Sequence, residues 1–228
     1  MITLAGNIIL SSGGSSSSPY SPPSGTILSS FEAPESVPSG LAYNGNNLIS
    51  CDIGFDRIYI HSGVSSTILS NFSSPSGNPS GLTFDGTNLI SCDSVTDLIY
   101  VHDGVSSTIL SSFAAPSLNP SGLAYDGTNL ISCDNNLDLI YVHDGISSTI
   151  LSSFAAPSQN PSGIAYDGTN LISCDHGTDL IYVHDGISST ILSSFSSPSS
   201  VPFGMTYDGT NLISCDINSD RIYIHANA

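Results

Sequence analysis

Residues 120–144 read PSGLAYDGTNLISCDNNLDLIYVHD, and the same pattern recurs along the chain with a period of 41 residues. Two short β-prone runs, GLAY and NLISCD, flank an Asp-Gly turn, and a third run, DLIYVH, follows after three residues. A fourth run, STILSSF, comes shortly after a second Asp-Gly pair at residues 144–145. Each repeat therefore predicts two hairpins, which make four short antiparallel strands, and no helical periodicity accompanies them.

A period near 40 residues with four strands per repeat is typical of an all-β protein of one class, the β-propeller. The repeat also resembles the NHL repeat of six-bladed, TolB-like propellers. The features it shares are the Pro-x-Gly-apolar-Ala opening, the Asp-Gly turn, the Asp that ends the second strand and the apolar third strand. The resemblance covers five repeats and implies a strand order within each blade. The SGLAY-type strand is innermost (strand A), the STILSSF-type strand is outermost (strand D), and strands B and C lie between them.

The number of blades is predicted to be six, in a single domain at 1–228. Residues 1–31 align as a degenerate first blade, 32–72, 73–113, 114–154 and 155–195 as regular repeats, and 196–228 as an incomplete last blade. That last blade would lack its outer strand and leave an unpaired edge, where another chain can add a strand. The alternative is five blades, with Thr26–Phe31 completing the last blade and residues 1–24 forming a separate N-terminal arm.

The charge of the chain excludes several kinds of partner. Nineteen acidic residues stand against two basic ones, Arg57 and Arg221, for a net charge of −17. This argues against binding nucleic acid and against attachment to an anionic membrane surface. No hydrophobic run is long enough for insertion in a membrane, and no classical signal peptide is visible. Only 9% of residues are charged, and we expect an extracellular or cell-surface protein with a hydrogen-bonding surface.

The repeats differ mostly in the loop between strands B and C. The units Thr108–Ser148 and Thr149–Ser189 differ at five of 41 positions, three of them consecutive in this loop. Because strands alternate in direction, the B–C loops and the D–A connections share one face of the disc. We predict that this face contacts a ligand or another subunit, since function concentrates in loops on a rigid frame; unconstrained drift is the alternative. The predicted contact residues are Ile53, Gly54, Phe55, Ser94, Val95, Thr96, Asn135, Asn136, Leu137, His176, Gly177, Thr178, Ile217, Asn218 and Ser219.

An aspartate ends each regular B strand. A ring of such carboxylates could hold Ca²⁺, which takes about six to eight oxygen ligands. The favoured interpretation is instead that each carboxylate accepts backbone hydrogen bonds in its own loop, and no cofactor is expected. The calcium candidates are Asp52, Asp93, Asp134, Asp175 and Asp216.

Three other side chains recur once per blade. The histidines that end the C strands are predicted to stabilise turns: His61, His102, His143, His184 and His225. The cysteines are predicted to be buried free thiols, because one per blade is too far apart for a disulfide: Cys51, Cys92, Cys133, Cys174 and Cys215. The aromatic residues that end the A strands are predicted to pack between blades, with sugar stacking as the alternative: Tyr43, Phe84, Tyr125, Tyr166 and Tyr207.

No catalytic motif of the nucleophile-elbow, HExxH, CxxC or P-loop type is present. An axial active site needs different residues from different blades, whereas these blades are nearly copies, so we expect no enzyme. The favoured function is a non-catalytic scaffold for protein contact and self-assembly, acting as a homo-oligomer or polymer. The alternatives are a lectin-like, multivalent carbohydrate-binding module and a metal-dependent axial enzyme.

Overall fold

The computed structural model describes residues 21–227, which form five four-stranded antiparallel sheets. The outer strands are β1 (Pro23–Glu32), β5 (Ile68–Ser73), β9 (Ile109–Ala114), β13 (Ile150–Ala155) and β17 (Ile191–Ser196). The innermost strands are β2 (Pro38–Tyr43), β6 (Pro79–Phe84), β10 (Pro120–Tyr125), β14 (Pro161–Tyr166) and β18 (Pro202–Tyr207). The second strands are β3 (Leu48–Asp52), β7 (Leu89–Asp93), β11 (Leu130–Asp134), β15 (Leu171–Asp175) and β19 (Leu212–Asp216). The third strands are β4 (Arg57–His61), β8 (Leu98–His102), β12 (Leu139–His143), β16 (Leu180–His184) and β20 (Arg221–Asn227).

The predicted propeller is confirmed, but the prediction of six blades is wrong. Strand β1 pairs with β20, and the last sheet has the order β18-β19-β20-β1. Ile27 lies opposite His225 and Phe31 opposite Ile222, so the two ends of the described chain build one blade together. The alternative of five blades is therefore correct. The last blade has its outer strand, and the unpaired edge expected there does not exist; residues 1–20 lie outside the described residues.

The five blades surround an axis that the innermost strands line. Each innermost strand contacts its two neighbours, and β18 contacts β2 to close the ring. The strands come so close at their glycines that no side chain fits. A Cβ on Gly40 would lie 2.9 Å from the amide nitrogen of Leu82, and one on Gly122 would lie 2.9 Å from that of Ile164. Glycine is therefore required where the backbones converge.

The hydrophobic core consists of five clusters, each shared by two neighbouring blades. In one of them, Leu41 and Leu48 of the first blade pack against Ile213, Cys215 and Ile222 of the last blade. Because a blade buries its apolar side chains only against its neighbours, the closed ring is required for stability. In the part of the chain that the structure describes, no helix is long and apolar enough to cross a membrane.

Candidate functional site

The variable loops and the D–A connections lie on the same face of the disc, which we call the loop face. The two kinds of segment are hydrogen-bonded to each other, as when the amide of Ile53 donates to the carbonyl of Val37 across 3.1 Å. Several apolar side chains on this face are exposed. Phe55 and Leu137 are each 55% exposed, Val95 is 66% exposed and Leu118 is 59% exposed. The structure thus brings the predicted contact residues to one face, while the contact itself stays a prediction.

The aspartates that end the B strands are buried and bind their own loops. Oδ1 of Asp52 accepts a hydrogen bond from the amide of Phe55 across 2.9 Å, and the equivalent oxygen of Asp134 accepts one from Leu137 across 2.7 Å. Within residues 21–227, no group of three or more His, Cys, Asp or Glu side chains is placed to hold a metal ion. Calcium binding by these aspartates stays an untested prediction.

The D–A connections have two forms, which differ in the aspartate that accepts a hydrogen bond from the connection. Where the residue before the proline that begins the innermost strand is valine, its amide donates to the aspartate of its own blade, as from Val201 to Asp216 Oδ2 across 2.8 Å. Where that residue is asparagine, its φ is positive and its amide donates to the preceding blade. Asn160 (φ 64°) donates to Asp138 Oδ1 across 2.8 Å, and Oδ2 of Asp175 is then left buried without a hydrogen-bond partner.

A cavity of about 460 Å³ opens on the loop face beside this asparagine-type connection. Its walls are polar and uncharged, and they belong to one D–A connection and to the B–C loop of the same blade: Ser158, Gln159, Asn160, Gly177 and Thr178. A second cavity of about 380 Å³ lies between the last and first blades, and Glu32, Glu35, Asp220 and Arg221 line it together with smaller residues.

The histidines and cysteines face the interior. His61 is fully buried; its Nε2 lies 2.9 Å from the Ser50 hydroxyl, and its Nδ1 lies 2.6 Å from the carbonyl oxygen of Ser65 in the following turn. The five cysteines are free and buried. Burial raises the pKa of the Cys133 thiol to about 12, so this thiol is neutral and unreactive at neutral pH.

The opposite face, where the A–B turns lie, carries a funnel on the propeller axis. It measures about 610 Å³, and its wall contains five aromatic side chains, one from the end of each innermost strand: Tyr43, Phe84, Tyr125, Tyr166 and Tyr207. Below these five side chains the channel along the axis narrows to a cavity of about 90 Å³. At the glycine layer it has no room for a water molecule. These aromatic residues were predicted to pack between blades, and the funnel was not predicted.

The comparisons with known proteins identify the architecture. The fold is similar to the crystal structure of Myxococcus xanthus glutaminyl cyclase, with a TM-score of 0.74 over 87% of this chain and 94% of that chain, at 11% identity. It is also similar to a chain of the mitotic checkpoint complex, with a TM-score of 0.55 over 82% of this chain and 62% of that one, at 16% identity. No family model and no curated protein matches the sequence. Membership of the NHL family is therefore not confirmed.

The expectation that the chain is no enzyme is contradicted by the first of these neighbours. Glutaminyl cyclase is an enzyme, and almost its whole chain superposes on this propeller. Near-identical blades do not exclude catalysis, because a single axial site or one inter-blade cavity needs only a few differing residues. At 11% identity the likeness shows the fold alone and assigns no reaction.

Proposed function

We propose that this propeller is a protein-contact module that associates with further copies of itself through its outer strands. The observation that supports this is a ring of exposed leucines at the perimeter. Each outer strand carries one at the equivalent position, between 54% and 59% exposed: Leu28, Leu69, Leu110, Leu151 and Leu192. An exposed apolar side chain on an unpaired edge strand favours pairing with another strand.

The outer strands are also where two copies can approach each other. Each copy carries a net charge of −17, so any contact between charged faces is repulsive. The strands ILSNFS, ILSSFA, ILSSFA and ILSSFS contain no charged residue, and β1 contains only the terminal Glu32. Within the described residues nothing pairs with their outer edges. Two such strands in antiparallel register form a self-complementary contact, which is the geometry of a two-fold dimer.

The test of this proposal is the mass of the assembly, measured by light scattering and by sedimentation, with electron microscopy of the same sample. We expect the wild-type chain to associate and the variant Leu28→Glu/Leu69→Glu/Leu110→Glu/Leu151→Glu/Leu192→Glu to be monomeric, because it adds a like charge to every outer strand. The control is Leu118→Gln/Leu137→Thr on the loop face. Gln159 and Thr178 occupy these positions in the next blade, so the variant folds normally and keeps the assembly.

A monomeric wild-type chain at high concentration would reject the proposal. Loss of the assembly in the loop-face variant alone would move the contact to the loop face, where Phe55, Val95, Leu118 and Leu137 are exposed. An extracellular or cell-surface location is part of the proposal, and the burial of all five free thiols would shield them from oxidation there.

Carbohydrate binding on the loop face is a second candidate, and the uncharged cavity at Gln159 supports it. Amide and hydroxyl groups such as those of Gln159, Asn160 and Thr178 are suited to the hydroxyl groups of a sugar. A glycan array tests this candidate. Gln159→Leu is the informative variant, because Leu118 is the natural residue at this position in the preceding blade. We expect the variant to be as stable as the wild type and to lose binding of any glycan that the wild type binds.

A further inference from the structure

The axial funnel combines an aromatic wall with an acidic rim. The residue after each aromatic side chain begins the A–B turn, and four of these residues line the mouth: Asn44, Asp85, Asp126 and Asp167. No lysine or arginine lines the funnel. The floor below the rings contains apolar and hydroxyl side chains, among them Thr83, Leu123, Ile164, Met205 and Thr206. The mouth is therefore negative, the wall aromatic and the base closed.

The carboxylates at the mouth are held in place by their own turns. Oδ1 of Asp126 accepts hydrogen bonds from the amides of Thr128 and Asn129, at 2.8 and 2.6 Å. Oδ1 of Asp85 accepts the equivalent pair across 2.7 and 2.6 Å. A charge fixed before binding loses no conformational entropy when a ligand arrives, which favours affinity.

The carboxylates and the aromatic rings lie close together. Burial raises the pKa of the Tyr166 hydroxyl, and the carboxylates of Asp126 and Asp167 raise it further. Asp126 belongs to the blade before Tyr166 and Asp167 to its own blade, so this tyrosine lies between two negative charges. A cation in the funnel would thus lie near both aromatic side chains and carboxylates.

We propose that the funnel binds an organic ammonium cation on the propeller axis. Three properties of the site favour such a ligand. Aromatic side chains and carboxylates both attract positive charge. The five blades present nearly the same groups around the axis, which suits a cation without directional hydrogen bonds, such as a quaternary ammonium group. The net charge of −17 raises the local concentration of cations.

Choline is the probe, and its neutral isostere 3,3-dimethylbutan-1-ol is the matched control. Binding is followed by calorimetry and by tyrosine fluorescence, since the chain has ten tyrosines and no tryptophan. We expect one choline per chain, bound about tenfold or more tightly than the neutral alcohol, and weakened by salt. Equal affinity for the two compounds would overturn the proposal. Binding of D-glucose in preference to choline would also overturn it and assign the funnel to sugars.

Two variants test the site with controls that the chain itself supplies. Asp85→Asn/Asp126→Asn/Asp167→Asn removes the three carboxylates that line the mouth and preserves the turns, because Asn44 accepts the same two amide hydrogen bonds in the first blade. We expect about a tenfold loss of choline affinity and no change for the neutral alcohol. Tyr125→Phe should bind choline within about twofold of the wild type, because Phe84 occupies the equivalent position. Tyr125→Ala/Tyr166→Ala should lose binding.

An unchanged choline affinity in the triple asparagine variant would overturn the role of charge. An unchanged affinity in the double alanine variant would place the cation outside the funnel. Thermal unfolding of each variant is measured alongside. A variant that fails to fold is replaced by single substitutions at Asp126 and Tyr166. We expect these to weaken choline binding too, by a smaller factor.

Discussion

The hydroxyl of Ser214 lies 2.8 Å from Nε2 of His225 in the interior of the last blade. Nδ1 of the same ring faces the carbonyl oxygen of Ser24 across 3.3 Å. A carbonyl only accepts hydrogen bonds, so Nδ1 carries the proton and Nε2 accepts the bond from Ser214. The ring is held neutral, and burial lowers the pKa of His225 to about 4.

Acid should therefore destabilise the propeller in a pH range set by its histidines. Burial also lowers the pKa of His61, His102, His143 and His184 below 6.5. Between the folded pKa values and pH 6.5 the unfolded chain binds more protons than the folded chain. The contribution of the neutral histidines to the free energy of unfolding is therefore complete above pH 6.5 and is lost as the pH falls toward their pKa values in the folded protein. We expect the free energy of unfolding, measured with urea, to fall steadily from pH 7 to pH 5.

The net negative charge of the chain acts in the opposite direction to the histidines. Loss of negative charge in this range would by itself stabilise a chain of net charge −17. A free energy of unfolding that rises as the pH falls from 7 to 5 would therefore contradict the assignment of the histidines.

The serine that faces each histidine should contribute to stability. Ser132→Ala leaves Nε2 of His143 buried and without the hydrogen bond that now spans 2.8 Å. An unsatisfied buried group costs about 1–3 kcal/mol, and we expect a loss of this size in the free energy of unfolding. Ser152 is exposed on β13, and Ser152→Ala should change the stability by less than about 0.5 kcal/mol. Equal effects of the two substitutions would show that the Ser132–His143 contact is not stabilising.

The order of strands within a blade could be predicted from the sequence, whereas the number of blades could not. Residues 26–31 read TILSSF, which is an outer-strand pattern whether the strand completes a first or a last blade. The pairing of Ile27 with His225 joins the two ends of the described chain, and no local pattern encodes such a distant contact. The contact of β18 with β2 that closes the ring at five is likewise a contact between distant residues.

The candidate sites show the same limit. The loop face could be predicted, because strand alternation alone places Asp52 and Phe55 at one end of the disc. The funnel could not, because an aromatic residue such as Tyr166 at a strand end has the pattern of a packing residue. Only the closed ring brings five of these side chains around one axis.

Phe31 should be as important to stability as its equivalents in other blades, because it closes the ring. It packs against the cluster of the first and last blades, and its ring centroid lies 5.9 Å from that of His61. We expect Phe31→Ala to cost about 2 kcal/mol, less than the ~3–5 kcal/mol of a fully buried phenylalanine. Phe113→Ala should cost the same within about 1 kcal/mol, since Phe113 contacts His143 at 6.1 Å.

The exposed Leu28 on the same strand is the control for Phe31. It is 59% exposed, and Leu28→Ala should be nearly neutral in urea unfolding. A cost for Phe31→Ala below half of that for Phe113→Ala would mean that β1 is not held in the last blade as firmly as the equivalent strands are in theirs.

The two forms of D–A connection should be interchangeable by one substitution. In Asn160→Val the branched side chain disfavours the positive φ of 64°. The amide of residue 160 should then move from Asp138 to the unpartnered Oδ2 of Asp175, as the amide of Val201 binds Asp216. One hydrogen bond replaces another, so we expect the stability to change by less than about 1 kcal/mol.

A double-mutant cycle with Asp138→Ala distinguishes this exchange from simple tolerance of valine. In the wild-type background Asp138→Ala removes the acceptor of the Asn160 amide, whereas in the Asn160→Val background that amide no longer uses it. The conformational cost of alanine at the positive φ of residue 138 is common to both backgrounds and cancels. We expect a coupling energy of at least about 1 kcal/mol, measured by urea unfolding of all four proteins. A coupling energy near zero would mean that residue 160 keeps its hydrogen bond to Asp138, and that the form of the connection is set by the neighbouring blade and not by the residue before proline.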